Sequence, residues 1–166
     1  IGDTYHLAIG QGDVLVTPLQ MAVATAIIAN GGMLFRPHLV HGIGETPESA
    51  ERLANTVVAE HVFDATYLAT VRDGMRKAVL EGSARSLASL PVETAAKTGT
   101  AQFGAKKQTH AWLTTFAPYK DPHLAIAVII EGGGQGHAAA LPVAKELYQW
   151  YFTEREPAQP QTEQEE

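Results

Sequence analysis

The chain has 166 residues, 45% of them hydrophobic and 18% charged, which is the size and composition of one globular domain with a sizeable core. A formal charge of −6 excludes a nucleic-acid binder, because phosphate neutralisation needs a basic face; it reads instead as solubility. The lack of cysteine excludes disulfides, thiol nucleophiles and Cys-type zinc sites, and the longest apolar-rich run, Leu19 to Ala29, is too short to span a membrane.

The chain starts at Ile1 in mid-pattern without an initiator methionine, so it reads as a piece of a longer protein, and a missing targeting segment carries no meaning. Gly10-Gln11-Gly12-Asp13 is turn-like. Thr17 then fits an N-cap, Pro18 the first helical position and Gln20 the third, a capping box. The helix is expected to run to about Ala29, with Asn30-Gly31-Gly32 supplying left-handed geometry at its end. Leu19, Met21, Val23, Ile27 and Ile28 leave it little polar face, so burial on most sides is expected. A short strand is expected within 33–43, and a polar loop containing Pro47 within 44–55.

Asp64 is the next N-cap. Leu68, Val71, Met75 and Val79 repeat at helical spacing, with Arg72, Arg76 and Lys77 outside the stripe. Gly82 ends this helix, and one more helical turn is expected between Ser83 and Leu90. Strands are then expected over Glu93–Phe103, His110–Ala117 and His123–Glu131. Lys106 and Lys107 would sit at the tip of the first connection and Pro118–Pro122 would form the second. Such short turns imply an antiparallel meander. The run LAIAVII at 124–130 is continuously apolar, as in a strand covered on both faces. A closing helix is expected from about His137 to Phe152. Its stripe is Leu141, Ala144, Leu147, Tyr148 and Tyr151, with Pro142 tolerable only near the first turn. Trp150 and Tyr151 are expected to pack this helix on the sheet, and Trp112 to be core. The tail is rich in Glu, Gln and Pro, which predicts disorder. The domain is therefore placed at 1–153 and the tail at 154–166. The fold class expected is α/β of the α+β type: an antiparallel sheet of at least three strands flanked by helices.

Within the first strand, Lys97-Thr98-Gly99-Thr100 has a chemical shape that packing does not require. Period 2 sends Lys97 and Gly99 to one face and Thr98 and Thr100 to the other. Gly99 lets another backbone or a ligand approach closely. The Thr100 N–H on an unpaired edge can donate to a developing oxyanion, and a cation with two hydroxyls suits a carboxylate. A partly exposed strand with a solvated lysine is the plainer reading of the same four residues.

The surroundings decide between them. Ala8-Ile9-Gly10-Gln11-Gly12, Thr17-Pro18-Leu19-Gln20-Met21-Ala22, Asn30-Gly31-Gly32, Val71-Arg72-Asp73-Gly74-Met75, Ala96-Lys97-Thr98-Gly99-Thr100-Ala101, Ala111-Trp112-Leu113 and Phe116-Ala117-Pro118 follow in order. Together, from Ala8 to Phe152, they resemble the C-terminal half of a penicillin-binding protein transpeptidase domain of the class B type. Members use the serine of a Ser-x-x-Lys motif as nucleophile and a Ser-x-Asn motif across the cleft. Neither motif occurs here: Ser49, Ser83, Ser86 and Ser89 have the wrong neighbours, and family order places both motifs before Ile1. The resemblance implies that Lys97 supplies positive charge to the proton network. It implies that the Thr98 and Thr100 hydroxyls hold a donor or β-lactam carboxylate, and that the Thr100 N–H is half of the oxyanion hole. It further implies acyl transfer from D-alanyl-D-alanine stem peptides, no metal or organic cofactor, and an extracytoplasmic site on the bacterial membrane through a membrane-anchored parent. The expected partners are stem peptide, β-lactams, the missing N-terminal part of the domain and, through an exposed strand edge, a second copy. A β-lactam sensor, a non-catalytic peptidoglycan-binding module and a serine β-lactamase share the Lys-Thr-Gly motif; the segment from Gly10 to Gln20 favours a transpeptidase over the last.

Two further features carry other readings. Gly132-Gly133-Gly134-Gln135-Gly136 follows a strand and opens a helix, a remote candidate for a nucleotide cradle. No second parallel strand follows, and a plain strand–helix turn fits better. The seven histidines, His6, His38, His41, His61, His110, His123 and His137, form no helical His-x-x-x-His pair, so no metal site is expected. His110 alone starts near the lysine strand.

Overall fold

The structure, a computed structural model, describes residues 2–46, 49–104 and 108–155. Pro47, Lys106, Lys107 and the tail beyond residue 155 lie outside the described residues.

A short helix α1 (Gly2–Ala8) opens the chain, where the sequence suggested no element. Helix α2 (Pro18–Ala29) starts where its capping chemistry places it. Thr17 Oγ1 accepts the Gln20 N–H at 3.2 Å, and Gln20 Oε1 accepts the Thr17 N–H at 2.8 Å. Such a cap is worth roughly 1 kcal/mol. Thr25, Ile27 and Ala29 are buried, and no residue from Met21 to Asn30 is fully exposed. The expected burial does not reach Leu19, which is 60% exposed, because nothing described covers the first turn.

Between α2 and the next helix lie two small hairpin-like pairs rather than one strand and a loop. β1 (Leu34–Phe35) pairs antiparallel with β4 (Val57–Ala59), and β2 (Gly42–Ile43) with β3 (Glu51–Arg52). Strands of two or three residues carry too few alternations for a period to register in sequence.

Helix α3 (Ala65–Leu80) is capped by Asp64, whose Oδ1 accepts the Thr66 N–H at 2.8 Å. Its buried stripe differs from the expected one. Leu68, Met75 and Val79 are buried, but Val71 is 45% exposed, and its place is taken by Arg72. That guanidinium donates to the Ile28 carbonyl at 3.3 Å, to the Ala29 carbonyl and to the Tyr119 carbonyl at 2.6 Å. It also lies over the Phe116 and Tyr119 rings. A helix C-terminus leaves carbonyls unpaired and partly negative, and Arg72 answers both needs for α2. Arg76 similarly bonds the Thr94 carbonyl at 2.9 Å and Glu93 Oε1 at 2.8 Å. Polarity alone put both arginines outside the stripe; the long stems and planar heads let them face inward.

A 3₁₀ turn (Arg85–Ser89) leads into the sheet. β5 (Ala95–Phe103), β6 (Gln108–Ala117) and β7 (Leu124–Ile130) form an antiparallel meander in the order β5-β6-β7. Helix α4 (Ala140–Trp150), continued by one π-type turn (Tyr151–Arg155), closes the described chain. Pro142 falls in its first turn, where its missing N–H costs nothing. Ala96, Ala111, Leu113, Ala117 and Ile126 pack on one face of the sheet against Leu87 and against Leu141, Ala144 and Tyr148 of α4. On the other face Ala95 and Phe116 meet Ala29 of α2 and Met75 of α3. The expected α+β class therefore holds, as helix–sheet–helix layers. Two side chains depart from their expected roles: Trp150 is 43% exposed and Leu147 40%, and Phe152 takes the packing position expected of Trp150.

Candidate active site

Among the described residues β5 is an edge strand, and one side of its backbone meets no other strand. Its start is covered by α3, which contributes Val79 to one core cluster and Met75 to the other. The cover ends near Lys97. Ala95 and Ala96 are fully buried, whereas Lys97 and Thr100 are exposed and Thr98 and Gly99 half-buried.

Register fixes which groups face outward. Gly99 stands opposite Trp112, Thr98 opposite Leu113 and Thr100 opposite Ala111. A Cβ built on Gly136 would lie 2.2 Å from the Trp112 carbonyl oxygen, 2.5 Å from the Gly99 oxygen and 3.0 Å from the Gly99 nitrogen. The backbone groups of Gly99 and Trp112 thus converge on each other. In an antiparallel pair the neighbouring residues then turn their N–H and C=O the opposite way. The Thr98 carbonyl and the Thr100 N–H accordingly point off the open edge. The Lys97 ammonium reaches that edge and donates to the Thr98 carbonyl.

The side chains divide as period 2 requires. Lys97 and Gly99 share a face with Thr114, Trp112 and His110, and Thr98 and Thr100 share the α4 face with Leu113 and Ala111. Trp112 is half-buried rather than core, and a Cβ on Gly99 would press on its Cβ at 3.1 Å. On the other face Thr98 Oγ1 meets Ser83 Oγ at 2.6 Å. Sequence reasoning missed this contact: Ser83 matches no nucleophile motif, and nothing in a Gly-Ser-Ala triplet predicts where its hydroxyl lands. His110 faces the lysine side but is occupied, stacking on Phe103 with ring centroids 3.9 Å apart and accepting the Gly132 N–H on Nδ1 at 3.2 Å.

The glycine loop is spoken for in the same way. Gly133 N–H donates to the Ile130 carbonyl and Gly134 N–H to the Thr109 carbonyl, both at 3.1 Å, and Thr109 Oγ1 donates to the Gly134 carbonyl. A phosphate cradle needs free N–H groups converging on a helix N-terminus. Here the Gly132, Gly133 and Gly134 N–H groups are spent on the sheet, and α4 begins only at Ala140, so the nucleotide reading is set aside. Among the described residues no group of three His, Asp or Glu side chains is placed to hold a metal.

The profile of the penicillin binding protein transpeptidase domain matches residues 2–149. The chain belongs to the penicillin-binding protein transpeptidase family. The peptidoglycan D,D-transpeptidase MrdA of Haemophilus influenzae is 35% identical over 176 aligned residues, covering 94% of this chain and 27% of that protein. The D,D-transpeptidase PbpA of Mycolicibacterium smegmatis is 36% identical, covering 83% of this chain and 30% of that protein. In three dimensions the chain is similar to penicillin-binding protein A of M. tuberculosis, solved as its ceftriaxone acyl-enzyme complex. That likeness has a TM-score of 0.75 and 32% identity, over 84% of this chain and 33% of that one. The chain thus spans under a third of the length of these curated relatives. Its Lys97-Thr98-Gly99 stretch lies inside the matched region, on the sheet edge left open among the described residues.

Proposed function

We propose that this chain forms one wall of the active site of a serine D,D-transpeptidase that cross-links peptidoglycan stem peptides and is acylated by β-lactams. The observation that carries the reading is the open edge of β5, where a cation, two hydroxyls and an outward N–H stand within four consecutive residues. The nucleophilic serine belongs to a part of the whole protein outside these 166 residues. Its Oγ attacks the carbonyl of the penultimate D-alanine, its proton passing to the base of its own motif. The Thr100 N–H donates to the oxyanion as one half of the hole. The C–N bond breaks, and the last D-alanine leaves with a proton delivered through the network that includes Lys97. A stem-peptide amine then attacks the acyl-serine and releases the serine hydroxyl. Throughout, the Thr98 and Thr100 hydroxyls hold the terminal carboxylate of the donor, which a β-lactam imitates, and Gly99 leaves room for the ligand backbone. No step calls for a metal or organic cofactor. Cross-linking substrate lies outside the cytoplasmic membrane, so the site works on that face, carried by a membrane-anchored parent. No described helix is itself long and apolar enough to cross a membrane.

Intact mass after incubation with a β-lactam at pH 7 tests this. The whole protein is expected to gain one stoichiometric adduct and the 166-residue chain none. An adduct on a serine or threonine of this chain would move the nucleophile inside it. A whole protein without an adduct would remove the transpeptidase reading.

A further inference from the structure

We propose that Ser83 is a positioning residue of the acyl-transfer site, aiming the Thr98 hydroxyl at the carboxylate of the incoming donor; the role rests on the transpeptidase reading above. The turn that delivers Ser83 is tightly held. At the end of α3 the Glu81 N–H returns to the Lys77 carbonyl and the Ala84 N–H to the Ala78 carbonyl, both at 2.9 Å. A Cβ on Gly82 would lie 2.8 Å from Ala78 Cα, so only glycine lets the chain double back this closely. Ala84 is fully buried. Ser83 is thus fixed on both sides, and its Oγ stands 2.6 Å from Thr98 Oγ1, at the point where α3 stops covering β5 and the open edge begins.

The chemistry follows from counting protons. Two hydroxyls that share one hydrogen bond keep one O–H free to donate outward. When Ser83 donates, the free proton is that of Thr98, and its oxygen is polarised by the bond it accepts, which strengthens its own donation. A Thr98 without this partner has an unpinned hydroxyl rotor that competes for nearby backbone carbonyls. Ser83 therefore acts through Thr98 and matters only where an anion is to be held.

The test is the second-order acylation rate constant of the whole protein with benzylpenicillin and with its methyl ester, which lacks the carboxylate. Ser83→Ala is expected to slow benzylpenicillin roughly five- to tenfold, the reach of one hydrogen bond between neutral groups, with the ester within about twofold. Ser83→Thr, which keeps the hydroxyl, restores the rate. Thr98→Val slows benzylpenicillin similarly, and Ser83→Ala adds nothing on that background, since the two act as one unit. Equal slowing of both compounds, an unchanged benzylpenicillin rate, or additive losses in the double variant would each overturn the role. Should Ser83→Ala fail to fold, Thr98→Val and Ser83→Thr carry the same two-compound comparison. A wild-type protein acylated by neither compound would instead bring down the transpeptidase reading, a result visible without any variant.

Discussion

Gly136 has the least room of any described glycine. The 2.2 Å and 2.5 Å approaches of a Cβ to the Trp112 and Gly99 carbonyl oxygens are to backbone that cannot swing aside. Gly136→Ala is expected to cost about 3 kcal/mol or more, seen as a drop of several degrees or more in thermal midpoint. An unchanged midpoint would mean that this loop does not rest on the β5–β6 backbone. The same contact explains why a run that reads in sequence as a plain strand–helix turn is buried at its last glycine: Gly136 packs on the rear of the strand whose front edge carries Lys97 and Thr100. The unusual make-up of that strand was legible, because a lysine, two threonines and a glycine are poor choices for packing alone. Ser83 and Arg72 were not legible, because their partners, Thr98 and the α2 carbonyls, lie 15 or more positions away in the chain.

Helix α4 docks on the sheet through Tyr148, which is fully buried and whose hydroxyl donates to Thr115 Oγ1 at 3.3 Å, while Thr115 in turn donates to the Ala95 carbonyl at 2.8 Å. Burial pushes the Tyr148 phenol well above its ordinary value, and the hydrogen bond to Asp73 raises Tyr119 as well. A folded-state pKa above the unfolded one gives stability that is intact below about pH 10 and lost as pH rises past it, because the unfolded chain releases its proton first. Urea midpoints between pH 8 and pH 11 are therefore expected to fall, and to fall less in Tyr148→Phe, with Tyr119 leaving a residual slope. At pH 7 the same substitution is expected to cost about 1 kcal/mol. Equal slopes in the two proteins would place the Tyr148 hydroxyl in water. At this scale α2, α3 and the meander were readable from caps and periodicity, and α4 in most of its stripe, though not at Leu147 or in its last turns. The paired short strands were not, since their only signal is the partner strand.

Across the whole molecule, the outer edge of β7 faces no other strand among the described residues, and its sequence LAIAVII is apolar throughout. A long apolar edge seeks a partner, so the isolated chain is expected to dimerise or exchange strands, or to bind the remainder of its domain. Light scattering at working concentration checks this, and a clean monomer would count against it. The caps of α2 and α3, the order of α2, α3, the three-stranded meander and α4, and the presence of Lys-Thr-Gly-Thr within a strand were settled by the sequence alone, because each depends on residues within a turn or a strand of one another. Tertiary structure decided which backbone groups of β5 face outward, that Arg72 closes α2, that the glycine loop is spent on the sheet, and that Ser83 meets Thr98. Those are matters of register and of approach between distant segments, and they exist only once helix and sheet have packed.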